Sequence, residues 1–240
     1  MFFKNHPIIL FLDRSGFSVF QDTVADIAKF NFTPDIVANL DVVNKEQFST
    51  LITTFIQINK IVPSSLALVL SDNIIYEKDI QALNSETQEN IDKEHKEEIQ
   101  EFLEDIPFEE VLAKVIKIGV PRIVAVNKDL VMTIADVFVN KGSVLEATIP
   151  SFMYGPNVNF AAGLTQNNIQ AILEGSEILK TGNLLTNQEN LNSLADLETE
   201  QKNPPAGGEK KPQNLRLYIL VGVFVTLLVI LAVVYLNLGA

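Results

Sequence analysis

Residues 217–236 form a run of twenty without a charge, LYILVGVFVTLLVILAVVYL. A helix rises about 1.5 Å per residue, so this run matches the roughly 30 Å hydrocarbon core of a bilayer. Thr226 is its only hydroxyl apart from Tyr218 and Tyr235, which fall near the two expected interfaces, as membrane aromatic belts do. A buried helix of this length in a soluble protein would carry a polar face, and this one has none. Lys210, Lys211 and Arg216 precede the run and no cation follows it, which predicts a single-pass span with residues 1–216 in the cytoplasm. The localisation expected is a bacterial inner membrane.

The start of the chain offers no competing signal. Its apolar run, residues 8–12, is stopped by Asp13 and Arg14 and is too short for a signal-peptide core. The sequence has no cysteine, which fits a reducing compartment and excludes disulfides and thiol chemistry. A formal net charge of −12 argues against a nucleic-acid partner and against adhesion to anionic lipid, since both need a cationic surface. The contact with the bilayer therefore falls to 217–236.

Composition divides the rest. Residues 1–182 are enough for one sizeable core, and from Asn183 to residue 216 Asn, Gln, Glu, Lys, Gly and Pro displace apolar residues, so 183–216 reads as a tether. Its root-mean-square reach is about 30 Å. Leu184, Leu185, Leu191, Leu194 and Leu197 leave open a short amphipathic helix there, either a partner site or an edge of the domain.

Within 1–182 the apolar period alternates between two and about 3.6. Strands are expected at 8–12, at 17–20 and within 24–37. A helix follows, opened by Asn44 and Gln47, with Phe48, Leu51, Ile52, Phe55 and Ile56 on one face. Residues 66–70 and 123–126 read as two central strands, the second leading into a helix that stops at Gly142. One further helix is expected over 165–180. Alternating strands and helices imply a parallel component, hence an α/β domain with a mixed sheet.

Between the two central strands, about 77–119, lies an inserted acidic subdomain expected to be helical. From Glu77 to Glu110 there are thirteen acidic residues against three lysines. One helix starts near Ser85, with Ile91, His95, Ile99, Phe102, Leu103 and Ile106 inward. Glu94, Glu97, Glu101 and Glu104 point away from that stripe, while Glu98 borders it. A second, short helix is expected after Pro107, with Phe108, Val111, Leu112, Val115 and Ile116 on one face. The acidic face is either a solvated surface or a docking surface for a basic partner, and Glu94, Glu97, Glu101 and Glu104 are its candidate partner-binding residues.

Catalytic constellations are sparse. The histidines are His6 and His95, and no Gly-rich phosphate loop of either common type occurs. Asp13, Glu46, Asp72 and Asp136 fall at strand and helix ends where ribonuclease-H-like nucleases place metal-binding acids. Glu46 and Asp72 are equally ordinary capping and turn residues, and a net-acidic domain repels nucleic acid. No catalytic residue, metal site or cofactor is expected, and the chain is read as a non-enzyme.

The segments FLEDIPFEEVLAKVIK, RIVAVNKDLVMTIADVFVNKG and EATIPSF, spanning 102–152, resemble the actin-like platform proteins of type IV pili and type II secretion, the PilM and GspL kind. The resemblance implies a half actin-like, ribonuclease-H-like sheet and a scaffold that docks other platform proteins, with self-association as a homo-oligomer left open. Actin-like ATPases carry D-x-G-[ST] after the first strand. This chain has Asp13-Arg14-Ser15-Gly16 there, so Asp13, Ser15 and Gly16 are the candidate nucleotide-binding residues of an altered phosphate turn. No room remains for a second lobe, which implies a degenerate, non-hydrolysing form. An actin-like nucleotide-binding protein and a metal-dependent nuclease are the alternatives.

Overall fold

A computed structural model describes residues 6–80, 88–117 and 120–186, with backbone alone over 88–95. The expected span at 217–236 lies outside the described residues. Among those described, no helix is long and apolar enough to cross a membrane.

In chain order the first half comprises strands β1 (Ile8–Asp13), β2 (Gly16–Phe20), β3 (Ala28–Asn31), β4 (Val37–Ala38) and β5 (Asp41–Val42), then helix α1 (Lys45–Ile58) and β6 (Ser65–Leu70). Next come β7 (Tyr76–Asp79), α2 (Gln88–Glu104), β8 (Val111–Ile116) and β9 (Arg122–Asn127). The chain continues through α3 (Lys128–Asn140), β10 (Val144–Pro150), α4 (Gln166–Glu174) and α5 (Ser176–Thr181).

Five successive apolar residues, Ile8 to Leu12, are stable as a strand only with both faces covered. They form the centre of a five-stranded sheet of order β10-β6-β1-β2-β3, and each is at most 2% exposed. β2 returns antiparallel to β1 and β3 antiparallel to β2, while β6 and β10 add in parallel on the other side. A meander followed by two parallel strands makes a mixed sheet with the expected parallel component.

Asn44 caps α1, its side chain accepting from the Gln47 backbone N–H at 3.0 Å. Phe48 and Phe55 then dock the helix on the meander through edge contacts, 5.6 Å from Phe48 to Phe32 and 5.3 Å from Phe55 to Phe17. Asn127 caps α3 by accepting from the Leu130 N–H at 3.1 Å. That helix ends where Gly142, at φ +97°, takes the left-handed turn that L side chains resist.

Five expectations need correction. The 123–126 strand does not join the central sheet; as β9 it is the middle of a separate three-stranded antiparallel sheet, β7-β9-β8. The inserted subdomain is therefore part sheet, with α2 packed on it through Ile99, Phe102 and Leu103 against Ile80, Ile123 and Val115. The expected second helix after Pro107 is strand β8, paired with β9 from Val111 opposite Asn127 to Ile116 opposite Arg122. Its Leu112, Ala113 and Ile116 join the main core, while Val115 packs under α2. A strand covered on both faces shows apolar residues at spacings of three and four as well as two, so periodicity could not separate the two states, and pairing with β9 decided.

The expected helix over 165–180 breaks at Gly175. A Cβ there would lie 2.9 Å from the Ala171 carbonyl oxygen and 3.1 Å from the Tyr154 ring. The tether also begins later than Asn183, because Asn183 and Leu184 are buried in the domain and Leu185 packs against its core. Its remainder lies outside the described residues.

Candidate functional site

The turn joining β1 to β2 holds the candidate nucleotide-binding residues, and the structure gives each of them a partner within the turn. One carboxylate oxygen of Asp13 accepts from the Ser15 backbone N–H at 2.6 Å, the Ser15 hydroxyl at 2.7 Å and the Gly16 N–H at 3.1 Å. A phosphate cradle needs free N–H and hydroxyl donors. Here three such donors already serve a carboxylate that would itself repel phosphate. Two of the three bonds are exposed to water, so releasing all three would cost about 1–3 kcal/mol in total. Gly16 is explained by packing, since a Cβ there would lie 2.0 Å from the Phe30 carbonyl oxygen of β3.

Open α/β sheets bind ligands beyond the carboxyl ends of their parallel strands. At the ends of β6 and β10 a cleft of about 620 Å³ is lined by Ser71, Asp72 and Asn73 on one side and by Ser151, Phe152 and the loop from Gly155 to Ala161 on the other. Ser151 donates to Asp72 at 2.6 Å, tying the two strand ends together. Asp13, Ser15 and Gly16 do not line this cleft. Beside it, Phe160 stacks on Phe11 with ring centroids 5.4 Å apart. The Tyr154 hydroxyl is buried without a hydrogen-bond partner among the described residues, and burial pushes its pKa up.

The carboxylates that a nuclease would need are not gathered. Among the described residues no group of three His, Cys, Asp or Glu side chains could hold a metal ion, so Asp13, Glu46, Asp72 and Asp136 form no common centre. Asp13 closes its turn and Asp72 receives Ser151, while Asp136 lies on the exposed side of α3. Glu46 belongs to the first turn of α1, where a negative charge favours the helix dipole.

On α2 the expected register is seen where side chains are described. Ile99 is 9% exposed, and Phe102 and Leu103 are half-buried. Glu97, Glu101 and Glu104 are exposed, with Glu104 accepting from Gln100 at 3.0 Å. Glu98, at the border, is half-buried and reaches Lys78 at 3.6 Å. The Glu94 side chain, like those of Ile91 and His95, lies outside the described residues.

Several residues that organise this region are not among those singled out in the sequence. Arg122 joins Glu77 at 3.0 Å and Asp79 at 3.5 Å across the inserted sheet, and its guanidinium stands 5.3 Å from the centre of the Phe152 ring, linking insertion to cleft. Lys114 and Asn183 meet at the edge of β10. Alternation within VLAKVIK would have pointed to Lys114 had the segment been read as a strand.

No family model matches the sequence, and no curated protein matches it. Among solved structures, the chain is similar to a PilM-PilN type IV pilus biogenesis complex, at 13% identity over 62% of this chain and 48% of that one, with a TM-score of 0.43. It is also similar to the cytoplasmic domain of EpsL, an inner membrane component of the type II secretion system of Vibrio cholerae. There the identity is 13% over 63% of this chain and 60% of that one, with a TM-score of 0.36. The match thus spans about half of the first chain's length and three-fifths of the second's.

Proposed function

We infer that this chain is a membrane-anchored scaffold that docks other components of a pilus or secretion assembly platform, with the acidic face of α2 as its docking surface and no hydrolysis of its own. The observation that carries the reading is the turn after β1, where Asp13 takes up the Ser15 and Gly16 donors that a bound phosphate would require. That favours a scaffold over the nucleotide-binding alternative. The partner class rests on the resemblance over 102–152. The anchor is the uncharged run at 217–236, with residues 1–216 on the cytoplasmic side of the inner membrane.

The test uses the full chain in its native membranes, with a photo-crosslinking residue at position 101. Expected is a crosslink to another membrane-platform protein that weakens as salt rises, because exposed charges act over a Debye length of about 8 Å at physiological salt. Alkaline extraction should leave the chain with the membrane, and deletion of residues 217–240 should release it. Absence of any crosslink from position 101, or release of the full chain by alkali, would overturn the corresponding half of the reading.

A further inference from the structure

β3 is one edge of the five-stranded sheet, and it is open. The Phe32 N–H donates to the Ser15 carbonyl at 2.8 Å, and β3 continues in that register from Asn31 opposite Gly16 to Ala28 opposite Val19. In an antiparallel pair alternate residues bond, so Phe32, Phe30 and Ala28 direct their backbone groups to β2. Lys29 and Asn31 turn theirs outward. Both residues are exposed, and nothing among the described residues bonds to those outward groups.

An open edge invites pairing with another chain unless something blocks it. The β10 edge is capped by the Asn183 side-chain amide, which accepts from the Thr148 N–H at 2.9 Å and donates to the Glu146 carbonyl at 3.1 Å. At β7 the Ile80 N–H donates inward to the Pro121 carbonyl, which leaves Glu77 and Asp79 as the outward residues. Two antiparallel copies centred on Glu77, Lys78 or Asp79 would set like charges opposite each other there.

β3 is free of that conflict. Antiparallel copies related by a two-fold axis at Phe30 set Lys29 of each opposite Asn31 of the other as hydrogen-bonded pairs, and no like charges meet. Centring on Lys29 would oppose two ammonium groups. Centring on Asn31 would carry Lys29 past the end of the facing strand, opposite Thr33. Phe30 and Phe32 are half-buried on the α1 side, where Phe30 stacks on Phe17 at 4.8 Å and Phe32 meets Phe48 at 5.6 Å. Pairing at Phe30 brings the second copy's Phe30 alongside at the close spacing of non-hydrogen-bonded pairs, about 4.5 Å between Cα atoms, so the two aromatic clusters join.

We propose that β3 is a self-pairing edge, through which two copies of this chain join antiparallel over residues 28–32 into one continuous sheet. The interface is small. A whole aromatic side chain buries about 150–250 Å², so the uncovered parts of Phe30 and Phe32 in both copies, with the paired backbones, fall short of the roughly 1,200 Å² at which stable interfaces begin. The dimer is therefore transient in dilute solution and populated where copies are held at high local concentration, as the membrane anchor of the proposed function would hold them. The pairing rests on the edge; only its population rests on that anchor.

The chain has no cysteine, so single introduced cysteines report the register. Full-length Lys29→Cys and Asn31→Cys chains are mixed in phosphatidylcholine vesicles and, separately, in concentrated detergent micelles, then oxidised mildly. Opposed positions lie about 5.5 Å apart between Cα atoms, within disulfide reach, whereas equal positions lie on diagonals of about 7–8 Å. The mixture should therefore give on the order of tenfold more disulfide dimer than either chain alone. No disulfide from the mixture in vesicles that retain the chains, or as much from either chain alone, would overturn the self-pairing edge. Release of the chains from the vesicles by alkali would count against the anchor alone, and the micelle sample then decides the edge by the same comparison.

Discussion

Asp13 is the residue on which the choice between scaffold and nucleotide binder turns, because one carboxylate oxygen cannot close its own turn and leave the same donors to a phosphate. Asp13→Ala should therefore destabilise the β1–β2 hairpin by about 1–3 kcal/mol, since it leaves three donors without their acceptor. Millimolar magnesium ATP should leave the melting temperature of the wild-type chain unchanged; a rise that Asp13→Ala abolishes would favour the nucleotide-binding alternative. Tyr154 makes an independent check on the packing beside the cleft. Its buried hydroxyl has no partner among the described residues, so Tyr154→Phe should be neutral or stabilising by up to about 1 kcal/mol, read as a rise of up to about 4 °C in thermal melting. A clear loss of stability would mean that the hydroxyl is bonded.

At the scale of elements, the helix α2 offers the sharpest test of register. Ile99, Phe102 and Leu103 face the inserted sheet while Glu97, Glu101 and Glu104 face out, so reversing Glu94, Glu97, Glu101 and Glu104 to lysine should change stability by about 0.5 kcal/mol or less per site, measured by chemical denaturation. Unfolding of the variant would mean that one of these residues is packed inward. That stripe was legible in the sequence because a helix packed on one side keeps a clean 3.6-residue period. β1, β2, β6 and α1 were legible for related reasons: runs with both faces covered, a short hairpin turn, and an asparagine cap with its partner three residues on. β8 was not, since coverage on both faces gives it a helix-like pattern. β10 escaped because its start is exposed at Val144 and its polar Thr148 interrupts the apolar run, so only its pairing with β6 reveals it. Of the candidate site residues, the acidic face could be read from spacing, whereas the use to which Asp13 puts its oxygen is a matter of hydrogen-bond geometry that spacing does not carry. Lys114 and Asn183 meet 69 residues apart in sequence, and no local signal links them.

For the whole molecule, a five-stranded sheet and a separate three-stranded sheet share the labour: both contribute to the main core, and the second also carries a helix whose outer surface is acidic. Electrostatic complementarity of that kind chiefly sets association rate and partner choice, and it leaves a signature in salt. The most direct measurement is affinity capture of platform proteins from native membranes by the full chain, titrated with salt and compared with the chain reversed at Glu94, Glu97, Glu101 and Glu104. Expected is salt-sensitive capture by the wild type and, from the folded reversed chain, a sharp drop together with loss of the salt dependence. Capture of the same proteins with the same salt dependence by both chains would contradict docking through α2 and leave its charges as a solvated face.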